Sequence, residues 1–243
     1  MRLAILGDVH GNAFALRAVL DDIAAAAPDE VLNLGDAVWG ASDPAAAWAL
    51  QQEHAPPSVR GNTDERVAGL RDGKAGLRDG KAALRDWLLP LLPPDAPRQL
   101  GALPTTLDTA DGEVRVAHGS LRSPWEDLLL TKGEEGIRSA TRPEIRERLS
   151  DFAGRVVVVG HTHWEMLSVV DGVTVVNAGP VSRQKDGLPL ARWVLLTRRG
   201  GVWTPEFRRT PYDTAAAAAW ARAHGPEGIG GREAAQLLSG KEA

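Results

Sequence analysis

The chain has 243 residues, 43% of them apolar, and its 32 acidic and 28 basic residues leave a net charge near −4. That length and apolar share can fill a sizeable core, while the slightly acidic balance excludes the global basic field of a nucleic-acid groove. The complete lack of cysteine excludes disulfide staples and thiolate metal sites, and it fits a reducing cytosol.

In chain order, Met1 to Leu6 reads as a short buried strand and Ala13 onward as a helix. Gly7-Asp8-Val9-His10-Gly11-Asn12 therefore sits where a strand hands over to a helix, in the kind of carboxyl-end crevice where open α/β sheets bind ligands. Asn12 caps the helix, and Pro28 stops it after the run Ala24 to Ala27. Val31 to Leu34 is a second apolar run, ending in Gly35-Asp36-Ala37-Val38-Trp39-Gly40. A second helix is expected from Pro44 to about Glu53. A short run from Pro57 to Arg60 then delivers Gly61-Asn62-Thr63-Asp64. Strand, glycine and polar ligand thus recur.

From Arg66 to Pro97 the texture changes. Gly69-Leu70-Arg71-Asp72-Gly73-Lys74-Ala75 is repeated letter for letter as Gly76 to Ala82. The spacing brings Leu70, Leu77 and Leu84 onto one helix face, continued by Trp87 and Leu88. The glycines of such a helix weaken it by ~1 kcal/mol each. Two roles fit: a tandem duplication in a solvated helix, or a lid or dimer contact over the site. Two repeats are too few for a solenoid.

Past the proline-rich turn Pro90 to Pro97, a strand through Val114 and Val116 ends at His118-Gly119-Ser120. The segment Leu121 to Lys132 carries Arg122, Trp125 and Glu126, and Arg142 to Phe152 reads as a charged amphipathic helix. The most apolar strand, Val156 to Val159, runs into Gly160-His161-Thr162-His163-Trp164. Met166 to Val170 and Val173 to Val176 form a hairpin turning at Asp171-Gly172, followed by Asn177-Ala178-Gly179-Pro180. Arg192 to Thr197 and Val202 to Arg208 make a last strand pair. Pro211 to His224 is an alanine-rich helix, with a further helical or frayed tail after it. The expected organisation is one domain over 1–243, with a helical insert or lid at about 66–97 and a helical tail at about 211–243. No stretch approaches the ~20 apolar residues of a membrane span, and the chain enters a strand without a signal-like leader. A cytoplasmic location is therefore expected.

Asp8, His10, Asp36, Asn62, His118, His161 and His163 all lie at the ends of apolar runs next to glycine, and these loops hold four of the six histidines. Oxygen and imidazole donors without sulfur suit manganese, iron, zinc or nickel. Seven donors are too many for one ion and right for two if one carboxylate bridges. Ions ~3.5–4 Å apart clamp a phosphate and generate a hydroxide nucleophile near neutral pH.

The ordered set Asp8-x-His10, Gly35-Asp36, Gly61-Asn62, His118-Gly119 and Gly160-His161-Thr162-His163 resembles the calcineurin-like metallophosphoesterase superfamily. His118-Gly119-Ser120 with Trp125-Glu126, and Asn177 to Val181 before Asp186-Gly187, look like its small prokaryotic branch of phosphodiesterases and dinucleotide polyphosphatases. The resemblance implies an α/β fold, a four-layer α-β-β-α sandwich with two mixed sheets. It implies two divalent ions, manganese first, with iron, zinc or nickel as alternatives. Asp8, His10, Asp36 and His163 would hold one ion, and Asp36, Asn62, His118 and His161 the other, with Asp36 bridging. Asp36, Asn62 and His118 would be catalytic.

One position departs from the pattern. Many relatives carry histidine after Gly-Asn, as the general acid to the leaving oxygen; here it is Thr63. A threonine hydroxyl is far too weak an acid to replace an imidazolium. Alkyl monoesters need that proton most, while phosphoanhydrides, cyclic diesters and aryl esters need it least. Asp64 is expected to orient a neighbouring ligand. The sequence thus points to a metal-dependent phosphohydrolase acting on phosphodiesters or nucleotide phosphoanhydrides, with a phosphomonoesterase or protein phosphatase, or a non-catalytic metal-binding scaffold, as alternatives. The expected partner is a small phosphorylated molecule, a nucleotide for preference, with no membrane. Trp39, Trp125 and Trp164 lie beside the motif loops as candidate stacking platforms or as rings packed under them. Arg122 and Arg183 are candidates for distal phosphate contacts, because guanidinium donors match phosphate oxygens in pairs.

Overall fold

The computed structural model describes residues 1–70 and 80–242. Its strands form two mixed sheets. In the first, β1 (Arg2–Leu6) pairs in parallel with β2 (Glu30–Asn33) and antiparallel with β10 (Ala191–Arg199), and β11 (Val202–Thr210) completes the edge. In the second, β4 (Val114–Ala117), β7 (Val156–Val159) and β9 (Val173–Ala178) run parallel. They are flanked by antiparallel β3 (Thr106–Thr109) and β8 (Glu165–Val170), in the order β3-β4-β7-β9-β8.

Strand alternation explains the layering. Leu3, Ile5 and Leu32 face Val114, Val116, Val156 and Val158 across the gap between the sheets. The opposite face of β1, Ala4 and Leu6, packs with Trp193 and Leu195 against Leu16, Val19, Leu20 and Ile23 of α1 (Ala13–Ala26). The opposite face of β7, Val157 and Val159, packs on Ile145 and Leu149 of α6 (Arg142–Leu149). Strands buried on both faces need continuous apolar runs, which is why β7 is four consecutive valines. The four-layer α-β-β-α sandwich is therefore present.

The remaining helices are α2 (Pro44–His54), α3 (Asn62–Ala68), α4 (Gly80–Leu88), α5 (Ala96–Ala102), α7 (Thr214–His224) and α8 (Gly230–Ser239). Trp48, Val67, Leu84, Leu88 and Leu100 form a separate small core where α2 to α5 meet. α3 closes with Gly69 in the left-handed region, and Leu70 is exposed. The single helix face expected through Leu70, Leu77 and Leu84 thus fails at Leu70, while most of the repeat, 71–79, lies outside the described residues. Pro57 to Arg60 makes only one bridge, Ser58 to Asn33, because Pro56 and Pro57 offer no ladder donor. The sequence reading missed β3 and an exposed hairpin, β5 (Leu130–Gly133) with β6 (Gly136–Ser139). Among the described residues no helix is long and apolar enough to cross a membrane.

Candidate metal centre

The parallel strands β1, β2, β4, β7 and β9 end together. The loops after β1, β2, β4 and β7 bring Asp8, His10, Asp36, His118, His161 and His163 into one cluster, joined by Asn62 from the first turn of α3. Two groups of candidate ligands have donor atoms all within 4.8 Å of one another: Asp8, His10 and His163, and Asp8, Asp36 and His118. Asp36 divides its oxygens between them, Oδ2 at 3.6 Å from His10 Nε2 and Oδ1 at 3.6 Å from His118 Nε2. Asn62 Oδ1 lies 2.9 Å from both His118 Nε2 and His161 Nδ1.

The backbone is bent to aim these groups. Asp8, His10, Asp36, His161 and His163 all have φ between 48° and 69°. Asp and His tolerate this left-handed region better than bulkier residues, yet each such position costs about 1–3 kcal/mol and persists only where its surroundings over-determine it. Here the two loops brace each other: Asp8 N–H donates to Gly35 O, His10 N–H to Asp36 O and Gly11 N–H to Ala37 O, at 3.0, 2.9 and 3.1 Å. The neighbouring glycines are there for clearance. A Cβ at Gly61 would lie 2.1 Å from Asp36 Oδ1, and one at Gly160 2.5 Å from Asp8 Oδ2.

Hydrogen bonds on the outer side of the rings set the donor atoms. His10 Nδ1 bonds Trp39 O at 3.2 Å, His118 Nδ1 bonds Leu34 O at 2.9 Å, and His163 Nδ1 bonds Arg183 O at 2.8 Å. A carbonyl only accepts, so each Nδ1 carries the proton and each Nε2 presents a lone pair inward. His10 Nε2 and His163 Nε2 then face one another at 3.0 Å. Burial first, and then the Arg183 charge, hold His10 far below its usual pKa. Two lone pairs in contact call for a positive charge between them. The oxygen and imidazole donor set fits a divalent cation.

Electrostatics sort the carboxylates. Burial opposes charge on Asp8, but His163, His118 and His10 outweigh it and hold its carboxyl well below the usual range. Asp64 lies behind the ligands, pushed up to about 6 by burial and by Asp36. Its oxygens accept from the backbone N–H of Asp36, Ala37 and Gly61 at 2.9, 3.0 and 2.8 Å, so it props the loop that carries Asp36. The sequence reading missed two further supports. Asp127 Oδ1 lies 3.5 Å from His161 Nε2, beside a ring whose pKa burial and His118 push down to about 3. The Asn177 amide donates to Gly160 O at 2.7 Å and Thr162 Oγ1 at 2.9 Å, bracing the loop between the two histidines. Asp127 lies in none of the motifs and Asn177 in the Asn-Ala-Gly-Pro run, but only the tertiary fold exposes what each supports.

The six expected substrate contacts take different positions. Thr63 donates its backbone N–H to Asp36 Oδ1 at 2.8 Å, and its buried hydroxyl has no hydrogen-bond partner among the described residues. Trp39 packs into the helical core while its carbonyl holds His10. Trp164 is 42% exposed beside His163. Trp125 donates Nε1–H to Glu65 Oε2 at 2.6 Å, with the Arg66 guanidinium 4.4 Å over its ring. Arg122 is engaged by Glu126 and Glu147, and Arg183 by Glu233.

The chain matches the model of the calcineurin-like phosphoesterase superfamily domain over residues 1–199. Its structure resembles that of a metallophosphoesterase from Sphaerobacter thermophilus, 26% identical, with a TM-score of 0.75 over 99% of this chain and 100% of that one. A hypothetical protein from Pyrococcus horikoshii OT3, 16% identical, shares the fold with a TM-score of 0.78 over 100% and 99% of the two chains. A proposed diadenosine tetraphosphatase, 20% identical, aligns with a TM-score of 0.51 over 85% and 93%. No curated protein matches the chain.

Proposed function

The chain belongs to the calcineurin-like phosphoesterase superfamily, and on that premise we propose that it is a metal-dependent phosphohydrolase preferring phosphodiesters or nucleotide phosphoanhydrides to alkyl monoesters. In this reading Asp8, His10, Asp36 and His163 hold one divalent ion, and Asp36, Asn62, His118 and His161 hold a second. The ions, with manganese the first candidate, would supply Lewis acidity toward a phosphoryl oxygen and a lowered pKa for bound water. The facing lone pairs of His10 and His163 support the metal assignment.

The substrate preference rests on one observation, the threonine at position 63. Its main chain is tied to Asp36 and its hydroxyl is buried, so the position offers the leaving oxygen a neutral, weakly acidic group. A positioned general acid contributes ~10²–10⁴-fold in rate. Substrates whose leaving group departs without a proton forgo little of that, whereas alkyl monoesters lose most of it. The ions held by the buried ligands would hold the phosphate, and Trp125 with the exposed Trp164 and the two arginines are the candidates for the rest of a nucleotide.

The test is a substrate panel with manganese. Aryl diesters, 2′,3′-cyclic nucleotides and dinucleoside polyphosphates should be cleaved far faster than glycerol phosphate or nucleoside monophosphates. Thr63→His should raise monoesterase relative to diesterase activity by ~10-fold or more, the lower part of the general-acid range being expected of an unevolved donor. An unmodified protein that already prefers alkyl monoesters would overturn the reading.

A further inference from the structure

The family match ends at residue 199, yet the C-terminal helix α8 is tied to the candidate metal centre through Arg183. Its core-facing positions are Gly230, Glu233, Ala234 and Leu237. Three of these are small or apolar and the fourth is a glutamate that is only 6% exposed. Among the described residues it is the one buried carboxylate other than Asp8, Asp36 and Asp64. Burying a carboxylate is costly, and an apolar side chain commonly stabilises such a position as well or better. Packing alone does not account for it.

Glu233 grips Arg183 with both oxygens: Oε1 accepts from Nε at 3.1 Å and Oε2 from Nη2 at 2.7 Å. Arg183 in turn touches two candidate ligands. Its carbonyl oxygen accepts from His163 Nδ1 at 2.8 Å, and its Nη1 packs 3.5 Å from His10 Nδ1 without a hydrogen bond, because that Nδ1–H already donates to Trp39 O. Both contacts fall on the outer side of the rings, away from the facing Nε2 atoms. Arg183 itself sits at φ 63°, a conformation a long side chain adopts only when held. Its guanidinium runs past Gly40, where a Cβ would come within 3.2 Å of Nη2.

We propose that Glu233 is a positioning residue: by clamping Arg183 it fixes the Arg183 carbonyl that holds the His163 ring and the guanidinium packed beside His10, making α8 a support of the metal centre. This rests on the reading of those histidines as ligands of a divalent ion. Losing an outer partner of a ligating histidine typically weakens metal affinity ~10–100-fold. Glu233→Gln keeps the shape and one acceptor but removes the charge that orients both guanidinium edges.

The experiment is calorimetric titration of the full, chelator-stripped chain with manganese, alongside the thermal midpoint of the metal-free protein. Glu233→Gln should weaken manganese binding tenfold or more with little change in the midpoint, and the loss should not add to that of Arg183→Ala in the double variant. Leu237→Ala, which disturbs the packing of the same helix, should lower the midpoint and leave the affinity within twofold. Unchanged affinity in Glu233→Gln would overturn the proposal. So would an equal loss in Leu237→Ala, which would make helix docking the cause. If the unmodified protein bound no manganese, the ligand reading itself would fall and the proposal with it, a result distinguishable because it precedes any variant.

Discussion

The floor of the candidate site and its rim are built on opposite principles. On the floor, side chains are short, largely buried and aimed by the main chain: five candidate ligands sit at positive φ, three imidazoles are locked by carbonyl oxygens, and glycines clear the approach. At the rim, the side chains are long and are held by other side chains: Trp125 by Glu65, and Arg122 by Glu126 and Glu147. A main-chain lock costs little additional side-chain entropy and leaves one geometry, whereas a long side chain loses up to ~2 kcal/mol of rotamer freedom when ordered. The floor is therefore suited to fixed metal chemistry, and the rim to substrate choice, where a partner can be exchanged.

The largest test of this contrast is at Asp36, the charge proposed to bridge the two ions. Asp36→Asn keeps the shape of the side chain and removes that charge, so turnover should be abolished while the fold persists by circular dichroism. Full activity in this variant, or in exhaustively chelated protein, would break the floor reading. Next comes Gly61→Ala. The added carbon would need the space 2.1 Å from Asp36 Oδ1 and 2.4 Å from Asp36 N, so the carboxylate must move. A ~1 Å misplacement costs on the order of 10²-fold in rate, which should appear in kcat and in manganese affinity together. A variant as active as the parent would show that clearance at Gly61 does not control the ligand.

The smallest effect is expected at the rim. Trp125→Ala should raise KM for a nucleotide about tenfold, corresponding to ~1.4 kcal/mol, and spare a small aryl diester with no base. The Arg66 guanidinium over the ring and the bond to Glu65 mean that a base would have to share or displace an existing contact. Equal damage to both substrates would place Trp125 with the scaffolding, as a brace between its own loop and α3.

How much of this was legible beforehand follows from how each feature is held. The motif loops could be read because the residue that performs the chemistry is also the residue the backbone requires. An Asp or His between a strand end and a glycine serves both needs, and local pattern exposes it. Thr63 was legible as a departure for the same reason. β3 was not, because Thr106–Thr109 is short, polar and half-buried, and gains strand geometry only from pairing with β4. The expected strand at Pro57 to Arg60 erred oppositely: its apolar run suited a strand, but its prolines limited it to one bridge.

The sequence by itself determined the layering and the set of candidate ligands, because burial on both faces forces apolar runs and because polar residues that follow converging strands are brought together. Only the tertiary structure decided what stands behind them. Asp127 reaches His161 from 34 positions away, and Glu233 reaches Arg183 from 50. No periodicity links residues so far apart. A carboxylate on a helix reads as a solvated face until the fold shows it buried, and its partner is then set by which loops pack together rather than by which residues are neighbours along the chain.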